Sequence, residues 1–318
     1  MTCIEAGALE AEVLLLAESL RAFGGEWANV DFIAAKPRFG PSISAHTRSE
    51  MKRLRIEFVE GRFNKDYAWW NNANKSSVMA FLETRVGTPN ITWMDGDMAI
   101  LKPLDDLAPA EGTQFRSRSG EGYLGSDGSD SNAPYWRALC DMLGIDFDAF
   151  PEIVSWPEQR PIRAYWQTGV YSYATDTRLG AEHYNVIGKL LSSSIGSKQA
   201  GIYHQDQVSI ALAVQKLGLK HSQFDPRMNY NVNPIEKDKV DRLPLDEVKI
   251  LHYHGSMYDN HYGWFAGVVD RLAPDRAEMM RRHAPLSLGG YGVRLQKRLL
   301  ARLRQPKVDA FKQRAVLY

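Results

Sequence analysis

Strand-like and helix-like segments alternate along the first hundred residues, and this alternation limits the possible folds more than any other feature. A strand pattern at 2–7 precedes a helical pattern at 9–23, whose apolar residues recur at helical spacing. The alternation continues with strand patterns at 29–35, 55–61 and 91–94 and helical patterns at 49–54 and 76–86. Strands separated by helices form parallel sheets with helices on both faces. The sequence therefore predicts an α/β fold.

Two acidic residues follow the last of these strands directly, in the segment Asp95-Gly96-Asp97. Ligands of parallel sheets bind outside the carboxyl ends of the strands, so this segment lies at a predicted ligand site. Carboxylates bind hard cations such as Mn²⁺ or Mg²⁺, and a cation stabilises the charge of a departing nucleotide diphosphate. An isolated segment of this kind more often forms a plain β-turn. Its place between two apolar strands favours metal binding here.

Composition excludes several other classes of protein. The chain has 318 residues, 44% of them apolar, and no apolar run approaches the roughly 20 residues that span a bilayer. The start lacks the pattern of a signal peptide, so we expect a cytoplasmic protein. Cys3 and Cys140 are too few for a disulfide framework and lack the spacing of a zinc site. The segment 116–132, rich in Gly, Ser and Asp, predicts a surface loop.

Basic residues concentrate at the end of the chain. Residues 291–318 hold eight Lys or Arg and one acid, a net charge of +7 that leaves −6 on the remainder. A localised basic tail is not typical of a nucleic-acid-binding domain. Leu295, Leu299 and Leu303 recur every four residues among these cations, which predicts a basic amphipathic helix. This helix either contacts an anionic membrane or packs its leucines on the protein or on a second subunit.

Three later segments embed polar residues in apolar surroundings: QTG at 167–169, DQ at 206–207 and HYHG at 252–255. Together with the helix that opens at Asn74-Lys75 and with the two acids, their order resembles family 8 glycosyltransferases, the group of glycogenin and bacterial lipopolysaccharide glycosyltransferases. The resemblance covers roughly residues 1–265. It implies the GT-A fold, a Rossmann-like, mixed, mostly parallel sheet flanked by helices. We expect this fold in a domain 1–270, and the charge of the tail predicts a basic helical extension 271–318 after it.

The resemblance also implies a metal site. Its two acids, here Asp95 and Asp97, bind the metal and the donor, and the histidine of its H-x-x-G, here His252, completes the ligand set. An imidazole on a strand is a suitable ligand for Mn²⁺, although a lone histidine is more often a core residue. His254 lies on the same side of a strand and is a rival ligand. We prefer His252 because Gly255 follows it at the family spacing.

Donor contacts are implied at three further residues. Lys75 resembles a basic donor-contacting residue of the family, the alternative being a solvated lysine. Gly169 belongs to the segment that replaces the family's Asn-Ser-Gly. The family's lysine after H-x-x-G is absent here, so His261 or Lys75 is expected to stabilise the leaving group. The donor is expected to be a nucleotide-diphosphate sugar, by resemblance a UDP-sugar.

Two residues are predicted to act in catalysis. Asp206 is expected to contact the transferred sugar or the acceptor nucleophile, and its alternative role is to cap the helix that follows it. Gln167 is expected to hydrogen-bond the sugar as positive charge develops, consistent with a retaining mechanism. The predicted reaction is transfer to a saccharide or a glycolipid. The alternatives are a metal-dependent phosphohydrolase and a catalytically idle sugar-binding protein of the same fold.

Overall fold

The computed structural model describes residues 1–198, 204–237, 240 and 242–318. The chain separates into two compact units, each built from three stretches. The first unit comprises Met1–Gly61, Trp93–Leu107 and Asp225–Leu300, and the second comprises Arg62–Thr92, Ala108–Phe224 and Ala301–Tyr318. The division into a domain 1–270 and an extension 271–318 stays a prediction.

A three-stranded parallel sheet begins the first unit. Its order is β1 (Thr2–Cys3), β2 (Phe32–Lys36) and β3 (Ile56–Glu60), and the helices between these strands are α1 (Ala8–Phe23) and α2 (Ala45–Arg53). Every residue of β2 is buried, as expected for a strand at the centre of a covered sheet. The carboxylate of Glu10 accepts a hydrogen bond from Gly7 N at 2.9 Å and stabilises the start of α1. The predicted alternation is confirmed.

A second sheet of the first unit is mixed. Its strands are β5 (Met98–Ile100), β12 (Tyr230–Asn231) and β13 (Ile250–His252). β12 is parallel to β13, and β13 is antiparallel to β5, with His252 opposite Met98. The helices α7 (Asp259–Val269) and α8 (Pro274–His283) follow. Leu251, Tyr253 and Phe265 belong to the buried core of this part of the unit.

The second unit contains most of a four-stranded sheet in the order β11-β6-β9-β4, whose strands are β4 (Asn90–Met94), β6 (Phe115–Ser119), β9 (Trp166–Ala174) and β11 (His221–Gln223). β11 is parallel to β6, and β6 is antiparallel to β9. Its helices are α3 (Ala73–Leu82), α4 (Ala133–Leu143), α5 (Leu179–Ser192) and α6 (Gln205–Lys216). The short strand pairs are β7 (Glu152–Val154) with β8 (Pro161–Arg163), and β10 (Ile195–Gly196) with β14 (Val316–Leu317).

The predicted loop at 116–132 is wrong over its first four residues, which belong to β6. Their polar sequence, RSRS, is not typical of a buried strand, yet both serines are buried, and Ser117 is hydrogen-bonded inside the protein. Ser117 Oγ lies 2.5 Å from Gln167 O and 2.9 Å from Val170 O. A buried hydroxyl that bonds backbone carbonyls fits a strand interior, although local propensity favours a turn.

The basic tail forms the predicted helix, α9 (Tyr291–Arg314). Leu295, Leu299 and Leu303 are 43%, 50% and 77% exposed, so the predicted packing of these leucines on the protein's own core is wrong, whereas contact with a membrane or with a second subunit stays a prediction. Within the part of the chain that the structure describes, no helix combines the length and the apolar character needed to cross a bilayer.

Candidate active site

Asp97 and two histidines form a compact group in the first unit. Asp97 immediately precedes β5, and the pairing of β5 with β13 brings His252 alongside it. His252 Nε2 is 3.2 Å from Asp97 Oδ1, and His254 Nδ1 is 3.8 Å from Asp97 Oδ2. One ligand atom from each of the three residues lies within 4.8 Å of the others. One carboxylate and two imidazoles are ligands that suit a divalent transition metal.

A buried amide orients the first of these histidines. Asn229 Oδ1 is 3.1 Å from His252 Nδ1, and both residues are buried. Because an amide oxygen only accepts hydrogen bonds, Nδ1 donates to it, which leaves Nε2, the nitrogen that faces Asp97, as the one that would bind a metal. Such an outer partner fixes the ring and strengthens ligation.

His254 is held differently. Its backbone has a φ of 48°, a left-handed conformation that residues other than glycine seldom adopt. Its ring stacks on that of His252 with centroids 3.9 Å apart. Strain of this kind persists where the surrounding structure enforces it, and it concentrates at functional sites. His254, the rival ligand predicted from the sequence, thus lies in the same group as the preferred ligand His252.

The charge of Asp97 is strongly favoured. Burial opposes ionisation, but the attraction and hydrogen bond of His252, together with His254, outweigh it and hold the pKa of Asp97 well below its usual value. Asp97 therefore remains a carboxylate, the form that binds a cation.

Asp95 lies in the same turn but outside this group of three. Its Oδ1 accepts a hydrogen bond from Trp93 Nε1 at 2.7 Å. Its predicted contacts with metal and donor stay predictions. His261 lies in the first turn of α7, where its Nε2 is 2.9 Å from Asn260 Nδ2, and its predicted donor contact also stays a prediction.

Glu12 is a nearby acid that the sequence did not single out. It is buried on α1, accepts a hydrogen bond from Tyr258 Oη, and its Oε2 would lie 3.5 Å from a Cβ at Gly96. Burial, with the charges of Asp97 and Asp95, raises the pKa of Glu12 to about 8. Helical periodicity places Glu12 on an otherwise apolar face but does not indicate a partner for it. Its position beside the two acids is therefore seen only in the folded structure.

In the second unit, Lys75 joins Asp206. Lys75 is buried, not solvated, and its Nζ donates to Thr168 O at 2.8 Å and lies 3.3 Å from Asp206 Oδ2. Thr168 Oγ1 donates to the same Oδ2 at 3.0 Å. Burial raises the pKa of Asp206, but Lys75 and Thr168 outweigh it, so the net pKa is lowered. Asp206 lies within the first turn of α6, with His204 as its N-cap, so the capping alternative is wrong.

Gln167 and Gly169 are brought together on β9. Gly169 N donates to Gln167 Oε1 at 3.0 Å, while Gln167 Nε2 donates to Glu121 Oε1 at 3.3 Å. Glu121 also forms an ion pair with the buried Arg118 at 3.2 Å, and Gln207 Nε2 lies 3.5 Å from Gln167 Oε1. Arg118, Glu121 and Gln207 were not predicted as site residues from the sequence. Gln207 could have been found from its place beside Asp206, whereas the other two lie in the presumed loop.

Residues 1–218 match the family described as the Rhodobacterales glycosyltransferase domain. No protein of curated function matches the sequence.

Solved structures share the fold at low sequence identity. The galactosyltransferase LgtC, in complex with donor and acceptor sugar analogues, is 12% identical with a TM-score of 0.51, over 88% of this chain and 95% of LgtC. An active-site mutant of LgtC is also 12% identical, with a TM-score of 0.50, and the match covers 88% of this chain and 99% of the mutant. The bifunctional glycosyltransferase WbbM, solved in apo form, is 12% identical with a TM-score of 0.52. The match covers 88% of this chain but only about half, 51%, of WbbM. The predicted GT-A fold is confirmed.

Proposed function

Because the chain belongs to the Rhodobacterales glycosyltransferase domain family, we propose that it transfers a hexose from a nucleotide-diphosphate sugar, a UDP-sugar, to a saccharide or glycolipid acceptor. The observation that carries this proposal is the convergence of Asp97, His252 and His254. A nucleotide diphosphate departs with concentrated negative charge, and a site that gathers cation ligands answers that requirement.

The residues present fit a divalent cation. The Oδ atoms of Asp97 and the ring nitrogens of His252 and His254 would hold Mn²⁺ or Mg²⁺, and Asp95 is the fourth candidate ligand. The bound cation would supply positive charge that stabilises the departing diphosphate. Asn229 keeps the His252 ring oriented, and Asp97 enters the reaction already ionised.

The second unit supplies polar groups for the sugar. Asp206 is ionised, and Thr168 and Lys75 orient its carboxylate, so it can accept hydrogen bonds from sugar hydroxyls. Gln167 has its amide oriented by Gly169 N and Glu121, which suits contact with a sugar that becomes positively charged. The neutral amide of Gln167 is not a strong covalent nucleophile, consistent with retention by front-face attack. Lys75, Gly169 and His261 are the proposed donor contacts.

The two substrates have a parallel in LgtC, whose structure contains donor and acceptor sugar analogues. We place this enzyme in the cytoplasm, in peripheral contact with the cytoplasmic face of the membrane when its acceptor is lipid-linked. The exposed basic face of α9 supports that contact.

A screen of nucleotide sugars tests the reaction. The purified protein with Mn²⁺ is incubated with each candidate donor, and release of the nucleoside diphosphate is measured with and without acceptor saccharides. We expect slow cleavage of one donor alone and faster transfer with an acceptor, because a closed site excludes water. Calorimetry without binding of any nucleotide sugar would favour the idle sugar-binding alternative. Rapid cleavage of simple phosphate esters would favour the phosphohydrolase.

A further inference from the structure

The solvent side of α9 carries two parallel rows of side chains. Tyr291, Leu295 and Leu299 follow one another at four-residue spacing and are 72%, 43% and 50% exposed. Arg294 and Arg298 repeat at the same spacing, one position before each leucine, and are exposed as well. Residues four apart on a helix lie one above the other, so an apolar row and a basic row run side by side. The next turn of the helix continues both rows with Leu303 and Arg302.

The opposite side of the helix attaches it to the first unit. Lys297 Nζ donates to Ala6 O at 3.1 Å, and Val293 Cγ1 lies 3.6 Å from the position of a Cβ on Gly7. Leu300 is partly buried on the same side. Positions 293, 297 and 300 share one helical face, so the exposed leucine row is not the face that holds the helix.

The charge of the exposed side selects its partner. Residues 291–308 contain no Asp or Glu, so the arginine row has no acid beside it along the helix. A second copy that docked through the same face in a symmetric pair would bring two basic rows together. Anionic lipid headgroups instead present negative charge to the whole row, with an acyl boundary beneath them for the leucines.

We propose that this leucine–arginine face (Tyr291, Leu295, Leu299, Arg294 and Arg298) binds in the headgroup region of an anionic lipid bilayer. The leucines enter the boundary with the acyl chains, and the arginines bond the lipid phosphates. The face identifies the surface and the lipid chemistry of the membrane contact, so it rests on that part of the proposed function and not on the transfer reaction.

Co-sedimentation with vesicles tests the proposal on the full chain. The vesicles are phosphatidylcholine with or without phosphatidylglycerol, at low and high salt. We expect binding only to the anionic vesicles, weakened by salt. R294Q/R298Q should lower the partition coefficient about 25-fold, since each basic residue near the surface contributes about fivefold. L295S/L299S should lower it at least about tenfold. The matched controls are L217S and R53Q, which alter an exposed leucine and an exposed arginine elsewhere.

Each outcome decides the question. Loss of binding in both double variants, with both controls unchanged, supports the face as the lipid-binding surface. Wild-type protein that ignores anionic vesicles at low salt overturns it, as does equal binding of all variants. Self-association without lipid that L295S/L299S abolishes, together with no vesicle binding, would make a second copy the partner. If L295S/L299S fails to fold, the arginine variant and the salt dependence decide alone. These binding results hold whether or not a nucleotide sugar is cleaved.

Discussion

The metal-ligand group of the first unit and the Lys75–Asp206 cluster of the second unit both bring acids and bases together, yet they balance charge differently. In the first group, Asp97 faces two imidazoles and its side chain is 25% exposed, so a cation can reach the carboxylate. In the second, Lys75 and Asp206 neutralise each other at 9% and 16% exposure. Loss of a residue should therefore impair ligand binding in the first group and folding in the second.

The largest expected effect on stability is at the ion pair. Lys75→Met leaves the charge of Asp206 buried without its cation, and breaking a buried pair in this way costs about 3–5 kcal/mol of unfolding free energy. Urea denaturation measures this cost. In Lys75→Met/Asp206→Leu no charge remains, so much of the stability should return. Wild-type stability in the single variant would show that the pair is not a structural element of the second unit.

Acid should weaken the second unit through His183. This buried ring has Nε2 3.1 Å from Asp206 O, and burial lowers its pKa to about 4. Between about pH 6.5 and pH 4 the unfolded chain binds a proton that the folded chain does not, so stability falls as the pH drops. The loss from this group is about 3 kcal/mol.

Denaturation at several pH values measures this dependence. His183→Gln should flatten it, and His46→Gln, at an exposed position, should leave it unchanged. Identical slopes for wild type and His183→Gln would exclude the buried histidine as the cause.

In the first unit the expected effects are on metal affinity. His252→Ala should weaken Mn²⁺ binding by more than about a hundredfold, because losing a metal ligand costs more affinity than losing the outer residue that orients it. His254→Ala should weaken it less, since His252 is the more buried and lies nearer to Asp97, at 3.2 Å against 3.8 Å. Titration calorimetry ranks the two variants. The reverse ranking would show that His254 is the principal histidine ligand.

A smaller effect is expected at Asn229. Asn229→Ala removes the partner of His252 Nδ1 and should weaken Mn²⁺ binding by about tenfold to a hundredfold. The matched control is Asn29→Ala at an exposed position of the same unit. If the two variants bind Mn²⁺ equally well, Asn229 does not orient the ligand.

Local patterns predicted the elements that lead to the first group. Periodicity identified the strands and helices up to β5, because apolar spacing in a covered sheet is a local property. Asp97 follows from its place at a strand end. His254 and Asn229 become partners of the site only through the pairing of β5 with β13 and the packing around it, which local periodicity does not reveal.

The second cluster was less accessible from sequence. Lys75 and Asp206 were singled out one at a time, yet their contact joins positions 131 residues apart and depends on the packing of α3, β9 and α6. Glu121 was not predicted as a site residue because the polar, glycine-rich sequence around it predicts a surface loop. The residues just before it instead form the buried strand β6. Tertiary burial overrides local propensity at such positions.

Metal-dependent donor cleavage by wild-type protein and Asp97→Asn tests the central claim most directly. EDTA should abolish cleavage of the nucleotide sugar, and Mn²⁺ should restore it. Asp97→Asn should reduce the rate at least about a hundredfold at saturating Mn²⁺, the scale of losing one group that stabilises developing charge. Asp31→Asn, an exposed acid of the same unit, should cleave at the wild-type rate. Full activity in EDTA, or an unchanged rate in Asp97→Asn, would contradict a metal held by Asp97 and its two histidines.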